Sequence, residues 1–142
     1  MISGNNLDIL EQLARDEGTR SFPYLDTVGK ITIGVGRNLT DAGLSPEEIA
    51  FLLKNDVDRV RNQLTSRLPY FSALDPARQD VLVNMSFNLG FGGLEKFPLM
   101  LSAIAKGNWD EASDEMLGSL WARQVGVRAK RLALQIRTGI WQ

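Results

Sequence analysis

The chain has no cysteine and no histidine among its 142 residues. The first absence excludes a disulfide framework and thiolate chemistry. The second removes the commonest zinc ligand and the usual neutral-pH base. Acid–base work is left to Asp, Glu, Lys or Tyr, and no metal or cofactor is expected. No apolar run approaches the roughly 18 residues that a membrane-spanning helix needs. Residues 1–8 lack the basic and apolar regions of a secretory leader, so the chain is expected to be made in the cytoplasm, without stable membrane insertion. Acids are missing from one stretch. Residues 121–142 carry Arg123, Arg128, Lys130, Arg131 and Arg137 and no carboxylate, so the rest nets −6 against −1 for the whole. That asymmetry reads either as a solvated helix face or as a basic face for an anionic polymer.

What is present is a globular composition, 44% apolar and 23% charged, enough for one sizeable core. No repeat, low-complexity tract or long linker interrupts it. Leu7, Leu10, Leu13 and Ala14 recur at helical spacing, with Asn5 or Asn6 as cap and Gly18 as stop. Over residues 20–36 the period changes. Ile31, Ile33 and Val35 alternate with Thr32 and Gly34, a strand with one apolar face that pairs with residues 22–26 as a small hairpin. Ser45-Pro46-Glu47-Glu48 is a helix start, with a capping box and proline at the first helical position. Ile49, Leu52, Leu53, Val57, Val60 and Leu64 carry that helix to about Thr65. Asp75-Pro76 starts another, with Val81, Leu82, Met85 and Leu89 inward and Gly90 as stop. Helices are also expected over residues 98–106, over 109–117 and from about Val127. The fold class is therefore α+β, mostly α. A small hairpin lobe (about 15–45) is joined by a long helix (about 46–65) to a helical lobe (about 66–142, plus the N-terminal helix), with a cleft between lobes as the natural binding place.

The chemistry gathers around the hairpin. Eight residues separate Glu17 from Asp26, and five separate Asp26 from Thr32. Glu17 closes its helix, where the macrodipole disfavours a carboxylate by about 0.3–1 kcal/mol. It is either an exposed residue paired with Arg20 or an acid placed there for use. Asp26 is either a turn cap or an ionised carboxylate that steadies positive charge or directs a water. Thr32 is an ordinary strand residue or the hydroxyl that holds that water. Asn84 and Asn88, at i and i+4, share one face of an otherwise apolar helix and suit sugar hydroxyls. Arg128, at the start of the last helix, is a candidate to orient Glu17. Trp109, Trp121 and Trp141 read as packing residues more readily than as sugar platforms.

These residues stand in a familiar order. Residues 15–20 (Arg-Asp-Glu-Gly-Thr-Arg), 24–27 (Tyr-Leu-Asp-Thr) and 31–36 (Ile-Thr-Ile-Gly-Val-Gly) resemble the catalytic hairpin of the phage-type lysozymes, the muramidase endolysin family that includes the T-even phage enzyme. The resemblance runs over about residues 7–141. It continues through Asn84-Met85-Ser86-Phe87-Asn88-Leu89-Gly90, Trp109-Asp110-Glu111-Ala112 and Arg128-Ala129-Lys130-Arg131. It implies a lysozyme, a glycoside hydrolase, with Glu17 as general acid, Asp26 stabilising the oxocarbenium-like state and Thr32 positioning water. Asn88 falls at a cleft position, Asn84 lies one turn before it, and Arg128 matches the arginine that pairs with the acid. The implied substrate is the β-1,4 bond between N-acetylmuramic acid and N-acetylglucosamine in peptidoglycan. The implied protein is a monomer without a nucleic-acid partner. It would wait in the cytoplasm of an infected bacterium and reach the periplasmic wall once a separate holin opens the way. The alternatives are a lytic transglycosylase acting on the same bond and an inactive glycan-binding module. One departure is Arg37, which stands where many relatives carry histidine after Gly-x-Gly.

Overall fold

The computed structural model describes residues 8–142. The order is α1 (Ile9–Glu17), β1 (Arg20–Leu25), β2 (Ile31–Gly34), β3 (Arg37–Asn38), α2 (Pro46–Arg67), a 3₁₀ turn (Phe71–Ala73), α3 (Pro76–Leu94), α4 (Pro98–Ala105), α5 (Trp109–Leu117), α6 (Leu120–Val125) and α7 (Val127–Thr138). This mostly helical chain with one small antiparallel sheet is the α+β class expected. It forms two compact units, Met1–Phe51 and Leu52–Gln142, and the division falls inside α2.

In the first unit, α1 is capped by Asp8, whose side chain accepts from Glu11 N–H while the Glu11 carboxylate accepts from Asp8 N–H. The expected caps Asn5 and Asn6, and Leu7, lie outside the described residues. Gly18 ends the helix, as its lack of a Cβ suggests, and donates its N–H to Ala14 O. The hairpin gains a third strand, in the order β1-β2-β3. Tyr24 faces Thr32 and Leu25 faces Ile31 across β1 and β2, and Ile33 faces Arg37 across β2 and β3. The more covered face of β2 is the one that carries Thr32. Ile31 is 48% exposed and Val35 42%, whereas Thr32 is 4% exposed. Burying Thr32 costs little because its hydroxyl has a partner, Lys30 O at 3.0 Å. Thr32 is the one buried residue described in this unit. Polar contacts, more than an apolar core, hold its geometry.

The 22-residue α2 starts with the expected capping box. Glu48 N–H donates to Ser45 Oγ, and Ser45 N–H donates to Glu48 Oε1 at 2.9 Å. Leu64 is its one buried side chain; Ile49, Leu52 and Leu53 are exposed.

The second unit contains the core, with Val81, Leu82 and Met85 of α3, Met100 and Ile104 of α4, Met116 of α5 and Ile136 of α7 essentially fully buried. Each such side chain contributes roughly 1.5–3 kcal/mol of burial. Asp75 caps α3 ahead of Pro76. Gly90 breaks the helical dihedrals as expected (φ 72°, ψ 165°), yet a further helical stretch follows to Leu94. Arg78 bridges α3 to the end of α7. Its Nε donates to Ile136 O at 2.7 Å and its Nη2 to Arg137 O at 3.0 Å, while its guanidinium lies 4.0 Å from the centre of the Trp109 ring. Gly139 follows α7 in the left-handed conformation (φ 71°), and a Cβ there would stand 2.9 Å from Arg78 Nη1. No helix among the described residues is long and apolar enough to cross a membrane.

Candidate active site

Asp26 and Thr32 are brought together by one peptide, that of Lys30. The chain turns at Asp26-Thr27-Val28-Gly29, closed by Gly29 N–H to Asp26 O at 3.1 Å. Asp26 Oδ1 accepts from Val28 N–H at 2.9 Å and Lys30 N–H at 2.8 Å. Lys30 O in turn accepts from Asp26 N–H at 2.9 Å and from the Thr32 hydroxyl. The turn-cap reading of Asp26 is thus met by half of its side chain. One oxygen holds the turn, and the other takes no hydrogen bond from the described residues. The Thr32 hydroxyl spends its proton on Lys30 O and keeps lone pairs able to accept from a water.

Glu17 occupies the last position of α1 and is exposed. Its neighbour is the turn between β2 and β3. A Cβ built on Gly36 would lie 3.5 Å from Glu17 Oε2 and 3.7 Å from Cδ. Only a glycine lets the backbone approach the carboxylate at φ 69° without strain. Arg20, the other partner considered for Glu17, stacks instead over Tyr24, with its guanidinium 4.4 Å from the ring centre. Among the described residues of this unit the Glu17 carboxyl has neither an ion pair nor a hydrogen bond.

Two polar contacts of this unit were not foreseen from the sequence. Arg37 Nη1 donates to Gly43 O at 3.2 Å and pairs with Glu48 Oε2 at 2.6 Å. This guanidinium and the Ser45 cap together hold the Glu48 carboxyl down at about 2, and the carboxylate raises Arg37 in return. Lys30 Nζ pairs with Asp41 at 3.2 Å, and Asp41 accepts from Asn38 Nδ2 at 2.9 Å. Nothing in the local spacing marked either pair.

In the second unit Asn84 and Asn88 each spend their carbonyl oxygen on a later helix. Asn88 Oδ1 accepts from the buried Trp121 Nε1 at 2.8 Å, and Asn84 Oδ1 accepts from Arg128 Nε at 2.9 Å. Arg128 Nη2 also donates to Asn84 O at 3.3 Å. Asn84, Phe87 and Arg128 line a cleft of 390 Å³ together with Arg61, Asp80 and Trp141. Trp121 is buried and packs edge-on against Phe97, whereas Trp141 is exposed and its Nε1 donates to Asp80 at 2.8 Å. Among the described residues no group of three or more His, Cys, Asp or Glu is placed to hold a metal ion.

A helix-terminal glutamate against a glycine turn, with a carboxylate and a hydroxyl tied to one β-turn in the same unit, is equipment of the lysozyme kind. The phage lysozyme family model matches residues 14–137, and the chain belongs to the phage lysozyme family. It is 33% identical to the pre-baseplate central spike protein of Enterobacteria phage T4; the match covers 94% of this chain and 28% of the spike protein. It is also 27% identical to the probable T4-type lysozyme 2 of Dictyostelium discoideum, over 91% of this chain and 93% of that protein. The probable T4-type lysozyme 1 of the same organism is 26% identical, with 92% and 94% covered.

Proposed function

We propose that the protein is a muramidase that hydrolyses the β-1,4 bond between N-acetylmuramic acid and N-acetylglucosamine in peptidoglycan. The observation that carries this is the division of labour at Asp26, one oxygen holding the turn and the other unbonded beside a hydroxyl with lone pairs to offer. In this reading Glu17 protonates the glycosidic oxygen, the unbonded Asp26 oxygen faces the developing positive charge and directs water, and Thr32 helps hold that water. Water as nucleophile implies inversion, with Asp26 not forming a covalent adduct. Asn88 and Asn84 offer their amide N–H groups to the glycan.

The test is lysis of permeabilised Gram-negative cells by the wild type and Glu17→Gln, followed by mass spectrometry of the products. General-acid catalysis is worth about 10²–10⁴ in rate, so the variant should be slower by that factor. Products must carry an added water; anhydro products would establish a lytic transglycosylase. Binding without turnover in the wild type would establish a glycan-binding module.

Within this activity the setting has two readings. One is a monomeric endolysin that waits in the cytoplasm until a holin gives it access to the wall. The other is a lysozyme domain serving a phage particle or injection device, favoured by the 33% identity to the spike protein of phage T4. Lysis timing in a host expressing the protein with and without a holin separates the two.

A further inference from the structure

We propose that Arg37 and Glu48 are positioning residues for Glu17, acting through the backbone of Gly36. The inference rests on the reading of Glu17 as the acid. Gly36 forms one wall of the Glu17 carboxylate, since a Cβ there would sit 3.5 Å from Oε2. The wall is not stiff by itself, because Gly34 and Gly36 both take positive φ (67° and 69°) on either side of Val35. Apolar packing does not fix it, because no residue near it in this unit is buried except Thr32. β3 contributes only Arg37 and Asn38.

The backbone pairing of Ile33 with Arg37 closes the turn; what fastens the closed turn to the rest of the unit is the Arg37 side chain. It leaves the residue next to Gly36 and makes two fastenings, to Gly43 O at 3.2 Å and to Glu48 at 2.6 Å. Glu48 is itself fixed by the Ser45 cap at the start of α2. A helix terminus therefore holds the glycine turn in register against the acid. Glu48 touches neither Glu17 nor Gly36 in this chain of contacts; it acts on the acid only through Arg37. Removing the fastening leaves Glu17 chemically intact and lets its wall move, an error of the kind that lowers turnover more than binding.

The experiment compares wild type, Arg37→Ala, Arg37→Lys, Glu48→Gln and Glu17→Gln on a soluble peptidoglycan fragment. It also records the carboxyl-carbon NMR signals of the glutamates. The expected result is a fall in kcat of about ten-fold for Arg37→Ala with KM within about two-fold. Glu48→Gln keeps an oxygen for the Ser45 cap and folds if Arg37→Ala does not; it should fall in the same direction. Arg37→Lys should recover part of the loss. The Glu17 carboxyl signal should move in Arg37→Ala and Glu48→Gln while that of Glu11 stays in place. A kcat within two-fold of wild type, or a Glu17 signal that does not move, overturns the proposal. If Glu17→Gln keeps full activity, the acid reading fails instead, and the NMR comparison still decides whether Arg37 and Glu48 hold the turn.

Discussion

Arg78 fastens the end of the last helix, and its loss should be costly out of proportion to a polar residue. In Arg78→Ala, Ile136 O loses the donor at 2.7 Å, and Ile136 is fully buried, so that carbonyl has no water to turn to. Arg137 O, on an exposed residue, recovers solvent. One orphaned carbonyl costs about 1–3 kcal/mol, and the lost stack over Trp109 about 0.5–1 kcal/mol. The expected loss is therefore about 1.5–4 kcal/mol, or roughly 5–12 °C in Tm at about 3 °C per kcal/mol. Gly139→Ala supplies the cross-check. In the wild type it should cost about 1–2 kcal/mol for the left-handed backbone, plus the displacement of Arg78 by a Cβ only 2.9 Å from Nη1. In the Arg78→Ala background only the backbone cost remains. A double-mutant cycle by urea denaturation should therefore give a pair less damaging than the sum of its parts by at least about 1 kcal/mol. Additivity within about 0.5 kcal/mol, or an Arg78→Ala loss below that, would refute the reasoning.

Asn88→Ala leaves the buried Trp121 N–H without its acceptor and should lower stability by about 1–3 kcal/mol, measured by thermal melting followed through tryptophan fluorescence. The Glu48 carboxyl, usually near 4.5, is held at about 2 when folded. Its contribution is fully present above about 4.5 and is lost as pH falls through about 2. Tm against pH should therefore show wild type above Glu48→Gln at pH 6 and the gap closed by pH 2. Asp26→Asn keeps an acceptor oxygen for the turn and loses the charge. It should melt within a few degrees of wild type while its hydrolysis falls sharply; an active Asp26→Asn removes the carboxylate from the mechanism. If Arg123, Lys130 and Arg131 grip an anionic wall, clearing of whole envelopes should weaken with rising salt, and a flat response leaves them as solvated surface.

The helices were legible where capping chemistry marks them. Ser45 with Glu48, Asp75 before Pro76, and Gly18 all stand where the sequence places a start or stop. The helix α6 and the 3₁₀ turn were missed, being too short for a hydrophobic period to show. So was β3, two residues long and without a pattern of its own. The covered face of β2 was not legible, because alternation says which side chains share a face, not which face is covered. At the site, the spacing of Glu17, Asp26 and Thr32 suggested a shared place, and the Lys30 peptide shows how Asp26 and Thr32 meet. Local spacing carried no sign that Asn88 serves Trp121, 33 residues later, or that Arg37 reaches Glu48. Those pairs depend on tertiary approach.

The turn-holding role of the Asp26 carboxylate, beside the role proposed for it in hydrolysis, bears on how such a chain would decay under relaxed selection. If Glu17 is the acid, a copy that no longer cut glycan would be free to lose it, because it makes no hydrogen bond or ion pair with the described residues of its own unit. The same copy would still be penalised for losing Asp26, because the turn would open at Val28 and Lys30. Persistence of Asp26 in a descendant therefore says little about living chemistry, and persistence of Glu17 says a good deal.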